Sequence, residues 1–143
     1  MLQEKVIILG ARKGLGNEIL KKWRDSHPQD QLYGTSRQPF TAEGVSTQIF
    51  DFSQAEETEK CITYCREQSP HRLFYIPGGG PYGPFVDKKW ESHLWALQVT
   101  LLTPMRLIHQ LLELPSLKQL VVVGSDIAEA KPDAKAASYA AAK

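Results

Sequence analysis

The segment "KVIILGARKGLGNEIL" constrains the fold most. A short apolar, β-branched run ends at Gly10, Gly14 and Gly16 follow at once, and Leu15, Ile19, Leu20 and Trp23 then recur at helical spacing until Pro28 stops the helix. A strand that is apolar on consecutive residues has both faces buried, which is the condition of a central parallel strand covered by helices. A helix directly after a strand also excludes a hairpin, so the next strand must return parallel to the first.

The same alternation continues along the chain. "QLYGTSR" reads as a second strand and "STQIFDFS" as a shorter third, with the loop "QPFTAEGV" between them. "SQAEETEKCITYCREQ" reads as an amphipathic helix with Ser53 as its N-cap. "RLFYI" is a fourth strand, broken by "PGGGPYGP", which is too rich in Gly and Pro for regular structure. A long helix is predicted over 88–113, with Pro104 kinking or dividing it; "LKQLVVVG" is a fifth strand, and "AKAASYAAAK" opens a last helix. The prediction is one α/β domain over 1–143: a Rossmann-like, doubly wound parallel sheet in three layers, α/β/α. No repeat, low-complexity tract or linker divides it.

Composition excludes several partners. The formal net charge is +1, from 17 basic and 16 acidic side chains, so no long-range field draws in nucleic acid or an anionic membrane. The longest apolar run, in "KQLVVVG", falls far short of the ~20 residues that cross a bilayer, and the N-terminus carries no signal-peptide pattern; the expectation is a cytoplasmic protein without membrane or nucleic-acid partners. Cys61 and Cys65 stack on one helix face with parallel Cβ directions, which disfavours a disulfide, and His27, His71, His93 and His109 lack metal-ligand spacing, so no metal is expected.

The glycines point to chemistry as well as to a turn. Between Gly10 and Gly16 no bulky side chain keeps an anion from the backbone, and the helix N-terminus offers free N–H groups to a pyrophosphate; Gly10, Arg12, Lys13, Gly14, Leu15 and Gly16 are the candidate contacts. The same glycines could also serve only the dihedrals of a tight turn. A dinucleotide carrying free ribose hydroxyls needs an acid after the second strand, whereas a 2′-phosphate needs cations. Here that strand runs into Thr35, Ser36 and Arg37 with no carboxylate, and Arg12 and Lys13 stand in the loop; NADP(H) is therefore expected over NAD(H), with simple surface charge as the alternative.

Tyr139 and Lys143, in "SYAAAK", lie at i and i+4 on one helix face. Carbonyl reduction needs a proton for the developing alkoxide. A tyrosine can supply it if its pKa drops about three units from ~10, roughly 4 kcal/mol. A lysine about 4 Å away at an effective dielectric near 20 is worth about that much. An Ala-rich helix ending in a cation is the other reading of these residues.

Taken together, the sequence resembles the short-chain dehydrogenase/reductase family. The resemblance rests on Gly10, Gly14 and Gly16, on Asp51 in "FDFS", on the "PYGPF" turn, on Ser125 in "VVVGSD" and on Tyr139 and Lys143. It implies that Asp51 and Phe52 meet the adenine side of the cofactor, that Gly78 and Gly79 pass close to it, and that Ser125, Tyr139 and Lys143 carry catalysis, Lys143 also holding the nicotinamide ribose. Three departures stand out: Leu9 replaces a Thr, "YIPGGG" replaces Asn-Asn-Ala-Gly, and the catalytic Asn aligns with Thr100, Gln98 being a nearby alternative.

The resemblance further implies a small carbonyl or alcohol substrate and a homo-oligomer paired through helix 88–113. Trp90, Trp95, Leu97, Leu101, Leu102, Leu107, Leu111 and Leu112 are accordingly assigned to the core or to a subunit contact. Family members continue beyond the Lys, so the C-terminal part of the fold is expected to be missing from these residues. A non-catalytic dinucleotide-binding protein, or an interaction module that keeps the fold alone, are the competing readings.

Overall fold

The computed structural model describes residues 2–143. Five strands, β1 (Lys5–Leu9), β2 (Gln31–Ser36), β3 (Val45–Ile49), β4 (Arg72–Tyr75) and β5 (Gln119–Val122), form one sheet in the order β3-β2-β1-β4-β5. Every pairing is parallel, with Leu9 beside Thr35 on one side and beside Tyr75 on the other. The doubly wound parallel sheet read from the sequence is the one observed.

Period-two alternation in β1 sends its side chains to two cores. Val6 and Ile8 pack with Leu20, Leu32 and Phe74 under α1 (Gly14–Ser26). Ile7 and Leu9 pack on the opposite face against α2 (Ala55–Gln68) and α4 (Thr103–Leu111), through Cys61, Ile62, Cys65, Leu107 and Leu111. This is why four consecutive apolar residues in β1 are all fully buried. Both cysteines are unbridged and serve as small apolar residues of that second core.

One local expectation needs correction. Ser53 does not cap α2: Gln54 occupies the cap position without a side-chain bond, and the Ser53 N–H donates to Asp51 Oδ1 at 3.0 Å. The Ser53 hydroxyl instead accepts from the Gln54 side-chain amide at 3.2 Å, while the Asp51 carboxylate forms the turn ahead of the helix. The long helix is divided, as Pro104 implied, into α3 (Trp90–Leu97), a π-helical turn (Gln98–Leu102) and α4. Pro104 lacks the N–H that would bond the Thr100 carbonyl, and its ring crowds that group, so the preceding turn widens and Thr103 N–H reaches back five residues to Gln98. The division sits before the proline, where its missing bond falls.

At the N-terminal ends of the strands, Glu4 accepts from Arg72 Nε at 2.5 Å and from Lys118 Nζ at 3.0 Å, tying the chain before β1 to β4 and to the start of β5. Arg72, and then Lys118, hold the Glu4 carboxyl down to about 2 from its ordinary 4.5. A lowered folded-state pKa stabilises above the unfolded value and loses that contribution as pH falls through the folded one. Glu4→Gln is therefore expected to cost about 1–2 kcal/mol at neutral pH, after allowing for solvent screening of the exposed Lys118. The variant should also flatten the loss of stability between pH 4.5 and 2, as denaturant melts across that range would read.

Candidate active site

Strands run outward from β1 to β3, and the chain then crosses back to place β4 on the other side of β1. The two connections leave β1 and β4 in opposite directions, which opens a crevice at their carboxyl ends. There Gly10 N–H and Ala11 N–H donate to the Thr35 carbonyl at 3.0 and 2.8 Å, stapling the glycine loop to the end of β2. Gly10 has φ +84°, a conformation open to glycine. Gly16 is needed for contact: a Cβ there would stand 2.0 Å from the Gly10 carbonyl oxygen. The first turn of α1 contains no acid, and its cap residue, Lys13, makes no side-chain cap bond. The positive end of that helix therefore faces the crevice uncompensated.

A cleft of about 360 Å³ fills the crevice, within the size range of small-molecule sites. Of the residues assigned to cofactor binding from the sequence, Gly10, Arg12, Lys13, Ser36, Arg37, Asp51, Phe52 and Gly78 line it. Gly14, Leu15, Gly16 and Gly79 do not; Leu15 is exposed, Gly16 lies beneath the loop, and Gly79 is turned toward α3. Among the described residues, no ion pair engages Arg12, Lys13 or Arg37. One oxygen of Asp51 is taken by Ser53 N–H, so the other is available to a ligand.

The wall also contains Trp95 and Val99, which the sequence reading had left out of the cleft. Trp95, expected in the core or a subunit contact, packs against the core and also presses its ring on Gly79, where a Cβ would be 3.2 Å from it. The i, i+4 spacing of Trp95 and Val99 placed them on one face without telling which face that was.

Three consecutive glycines organise the other end. A Cβ at Gly78 would lie 3.2 Å from Lys143 Nζ, and one at Gly80 would lie 2.9 Å from Tyr139 Cβ. Between them Gly79 is gripped by Thr100, whose hydroxyl donates to the Gly79 carbonyl at 3.0 Å and accepts from its N–H at 2.9 Å. The backbone of 78–80 thus runs between α5 (Ala137–Ala142), which carries Tyr139, and the π-helical turn. Side chains on these glycines would push the two apart. Thr100 restores a brace between neighbouring elements that "YIPGGG" lacks, as does Tyr75, whose hydroxyl donates to the Val99 carbonyl. Gln98 is committed elsewhere, donating to Thr103, which in turn donates to the Phe52 carbonyl.

Lys143 Nζ donates to the Val123 carbonyl at 2.7 Å and lies 5.6 Å from the centre of the Tyr139 ring. Burial holds this ammonium below its ordinary pKa. Ser125, two residues beyond Val123, accepts from the Ile127 N–H at 3.3 Å and caps a 3₁₀ turn.

No protein-family model matches the sequence, and no curated protein is similar to it. Solved structures are. A short-chain dehydrogenase family protein from Francisella tularensis superposes with a TM-score of 0.82 at 18% identity, over 99% of this chain and 59% of its own. The bulky-bulky ketone specific alcohol dehydrogenase of Comamonas testosteroni gives 0.85 at 19%, over 100% and 64%. The fold is that of the short-chain dehydrogenases. A 4-hydroxyisoleucine dehydrogenase complexed with NADH has it too, with a TM-score of 0.81 at 17% identity, over 98% of this chain and 63% of its own. The chain thus spans about 59–64% of the length of these three short-chain dehydrogenase structures.

Proposed function

We propose that these residues form the nucleotide-binding and acid–base portion of an NADP(H)-dependent oxidoreductase that interconverts a small carbonyl compound and its alcohol. The observation that carries this reading is the placing of Tyr139 and Lys143 along Gly78–Gly80, at the end of a cleft whose other wall bears three cations without ion-pair partners. The cleft suits a dinucleotide phosphate by its donor set: Arg12, Lys13, Ser36 and Arg37 for a 2′-phosphate, the open end of α1 over Gly14, Leu15 and Gly16 for a pyrophosphate, and Asp51 with Phe52 beside the adenine. Gly78 supplies close-approaching backbone.

A bound dinucleotide would supply or accept the hydride. Tyr139 then delivers a proton to the substrate oxygen in reduction and removes it in oxidation, so that hydride and proton together balance the change. Lys143 is held over Gly78 with two ammonium hydrogens uncommitted by its bond to Val123, enough to hold a ribose hydroxyl and to favour the tyrosinate electrostatically. Ser125 orients the substrate oxygen. Thr100 commits its hydroxyl hydrogen to the Gly79 carbonyl, so it acts by fixing the loop and not by carrying a proton.

The exposed stripe Trp90, Leu94, Leu102, Met105 and Leu112 on α3, the π-helical turn and α4 is the surface for pairing with a second copy. A small-molecule substrate, and neither nucleic acid nor membrane, completes the assignment, in keeping with a cytoplasmic setting. No helix among the described residues is long and apolar enough to cross a membrane.

Cofactor choice is tested by titration. Arg37→Gln and Arg12→Gln are each expected to weaken NADPH about tenfold or more, since a charge-assisted phosphate contact is worth about 1.5–3 kcal/mol, while NADH binding stays nearly constant. Equal affinity of the wild-type protein for NADPH and NADH would remove the preference. Turnover is tested by following NADPH oxidation against a panel of ketones and aldehydes.

A further inference from the structure

His93 lies on α3 outside the cleft and is only 4% exposed, yet both ring nitrogens are engaged. Nε2 is 3.1 Å from the Phe85 carbonyl, which can only accept, so Nε2 carries a hydrogen. In the neutral ring Nδ1 is then bare, and the Ser138 hydroxyl, 2.5 Å away, donates to it. The Phe85 ring lies against the imidazole with centroids 4.3 Å apart, closing the remaining side.

Ser138 immediately precedes Tyr139 in α5. That helix has six residues, follows Ala136 at a cap position without a side-chain bond, and otherwise consists of alanines and Tyr139 itself. So short a helix has little stability of its own, and its pose is set by tertiary contacts. Among the described residues, Ser138 is the one side chain of α5 whose hydrogen bond reaches another helix. The Gly83 N–H bond to the Lys135 carbonyl, at 2.7 Å, tethers the chain before α5, and the Lys143 Nζ bond to the Val123 carbonyl, at 2.7 Å, holds its far end. Gly80 and Ala96 limit how closely the Tyr139 side can approach. The bond on Ser138, one residue from Tyr139, joins the Lys143 bond at the helix end in fixing the rotation.

We infer that His93 is a positioning residue for proton transfer: acting through Ser138, it sets the rotation of α5 and hence the aim of the Tyr139 hydroxyl. This rests on the reading of Tyr139 as the acid–base group. Rate depends steeply on such aim, and misplacement of about 1 Å costs up to about 100-fold.

The test uses the full-length protein and two readouts, one independent of activity. The variants are His93→Ala, Ser138→Ala, His93→Asn, whose amide oxygen can replace Nδ1 as acceptor for Ser138, and His93→Gln, whose amide can replace Nε2 as donor to Phe85. Without ligand, hydrogen exchange at the amides of Ala141, Ala142 and Lys143 is expected to accelerate about tenfold or more in both Ala variants, because the helix opens locally. In the same variants kcat should fall about 10–100-fold while the NADPH dissociation constant stays within about twofold. His93→Asn should recover both readouts and His93→Gln neither.

Unchanged exchange in both Ala variants would overturn the inference, and so would rescue by Gln but not by Asn. Ser138→Ala leaves α3 intact, so a folding failure of His93→Ala does not decide the matter. Should the wild-type protein reduce no carbonyl compound, the proposed function falls, and with it the link to proton transfer. The exchange data would still decide separately whether His93 holds α5.

Discussion

Replacing Tyr139 by Phe is expected to lower kcat about 10³-fold and to leave the NADPH dissociation constant within about twofold. The reason is geometric as well as chemical. Tyr139 packs beside Gly80, away from the wall that carries Arg12, Lys13 and Arg37, so losing its hydroxyl leaves those cations and the glycine loop in place. Phe keeps the ring against Gly80 and the packing of α5, removing only the transferable proton. Stopped-flow turnover with a reactive ketone and NADPH titration by fluorescence separate the two quantities. Turnover within tenfold of wild type would assign the proton to another group, and the proposed function would lose its acid–base residue.

Gly16→Ala is expected to destabilise the fold by about 3 kcal/mol or more, lowering Tm by roughly 10 °C, because overpacking against backbone cannot be relieved by a side-chain rotation. The added Cβ would fall 2.0 Å from the Gly10 oxygen and 2.9 Å from its carbonyl carbon. Helix propensity alone argues the other way, since Ala is favoured over Gly in a helix by about 1 kcal/mol. The sign of the change therefore decides between the two effects. Gly14→Ala is the internal comparison: it meets no atom within 4 Å, and its strain arises from φ +59°, costing about 1–2 kcal/mol. Calorimetry of the two variants would show Gly16→Ala as the more damaging; a stabilised Gly16→Ala would mean that α1 and the glycine loop are not packed as described.

Much of the site was legible because it depends on local chemistry. Arg12, Lys13, Ser36, Arg37, Asp51 and Phe52 all line the cleft, since each stands within a few residues of a strand end and the carboxyl ends of parallel strands converge. Ser53 was misread because α2 begins one residue later, with Gln54 at the cap, and the Ser53 hydroxyl is taken by the Gln54 side chain. Trp95 packs on the core as its spacing implies, but its second contact, with the cleft, was not legible because periodicity groups residues on a face without saying what the face meets. The role of Thr100 was open for a similar reason: the hydroxyl is engaged by Gly79, 21 residues away in the chain.

The residues by themselves determined the parallel sheet, the turn after β1 and the pairing of Tyr139 with Lys143 on one helix face. Each follows from spacing: period two in strands, 3.6 in helices, and the conformations open to glycine. Only the tertiary structure decided what those faces press against. It set Gly78, Gly79 and Gly80 against Lys143, Thr100 and Tyr139 in turn, and His93 against Ser138 across 45 residues. Such contacts depend on the distance and angle between packed helices, and residue spacing along one helix carries no information about its distance to another.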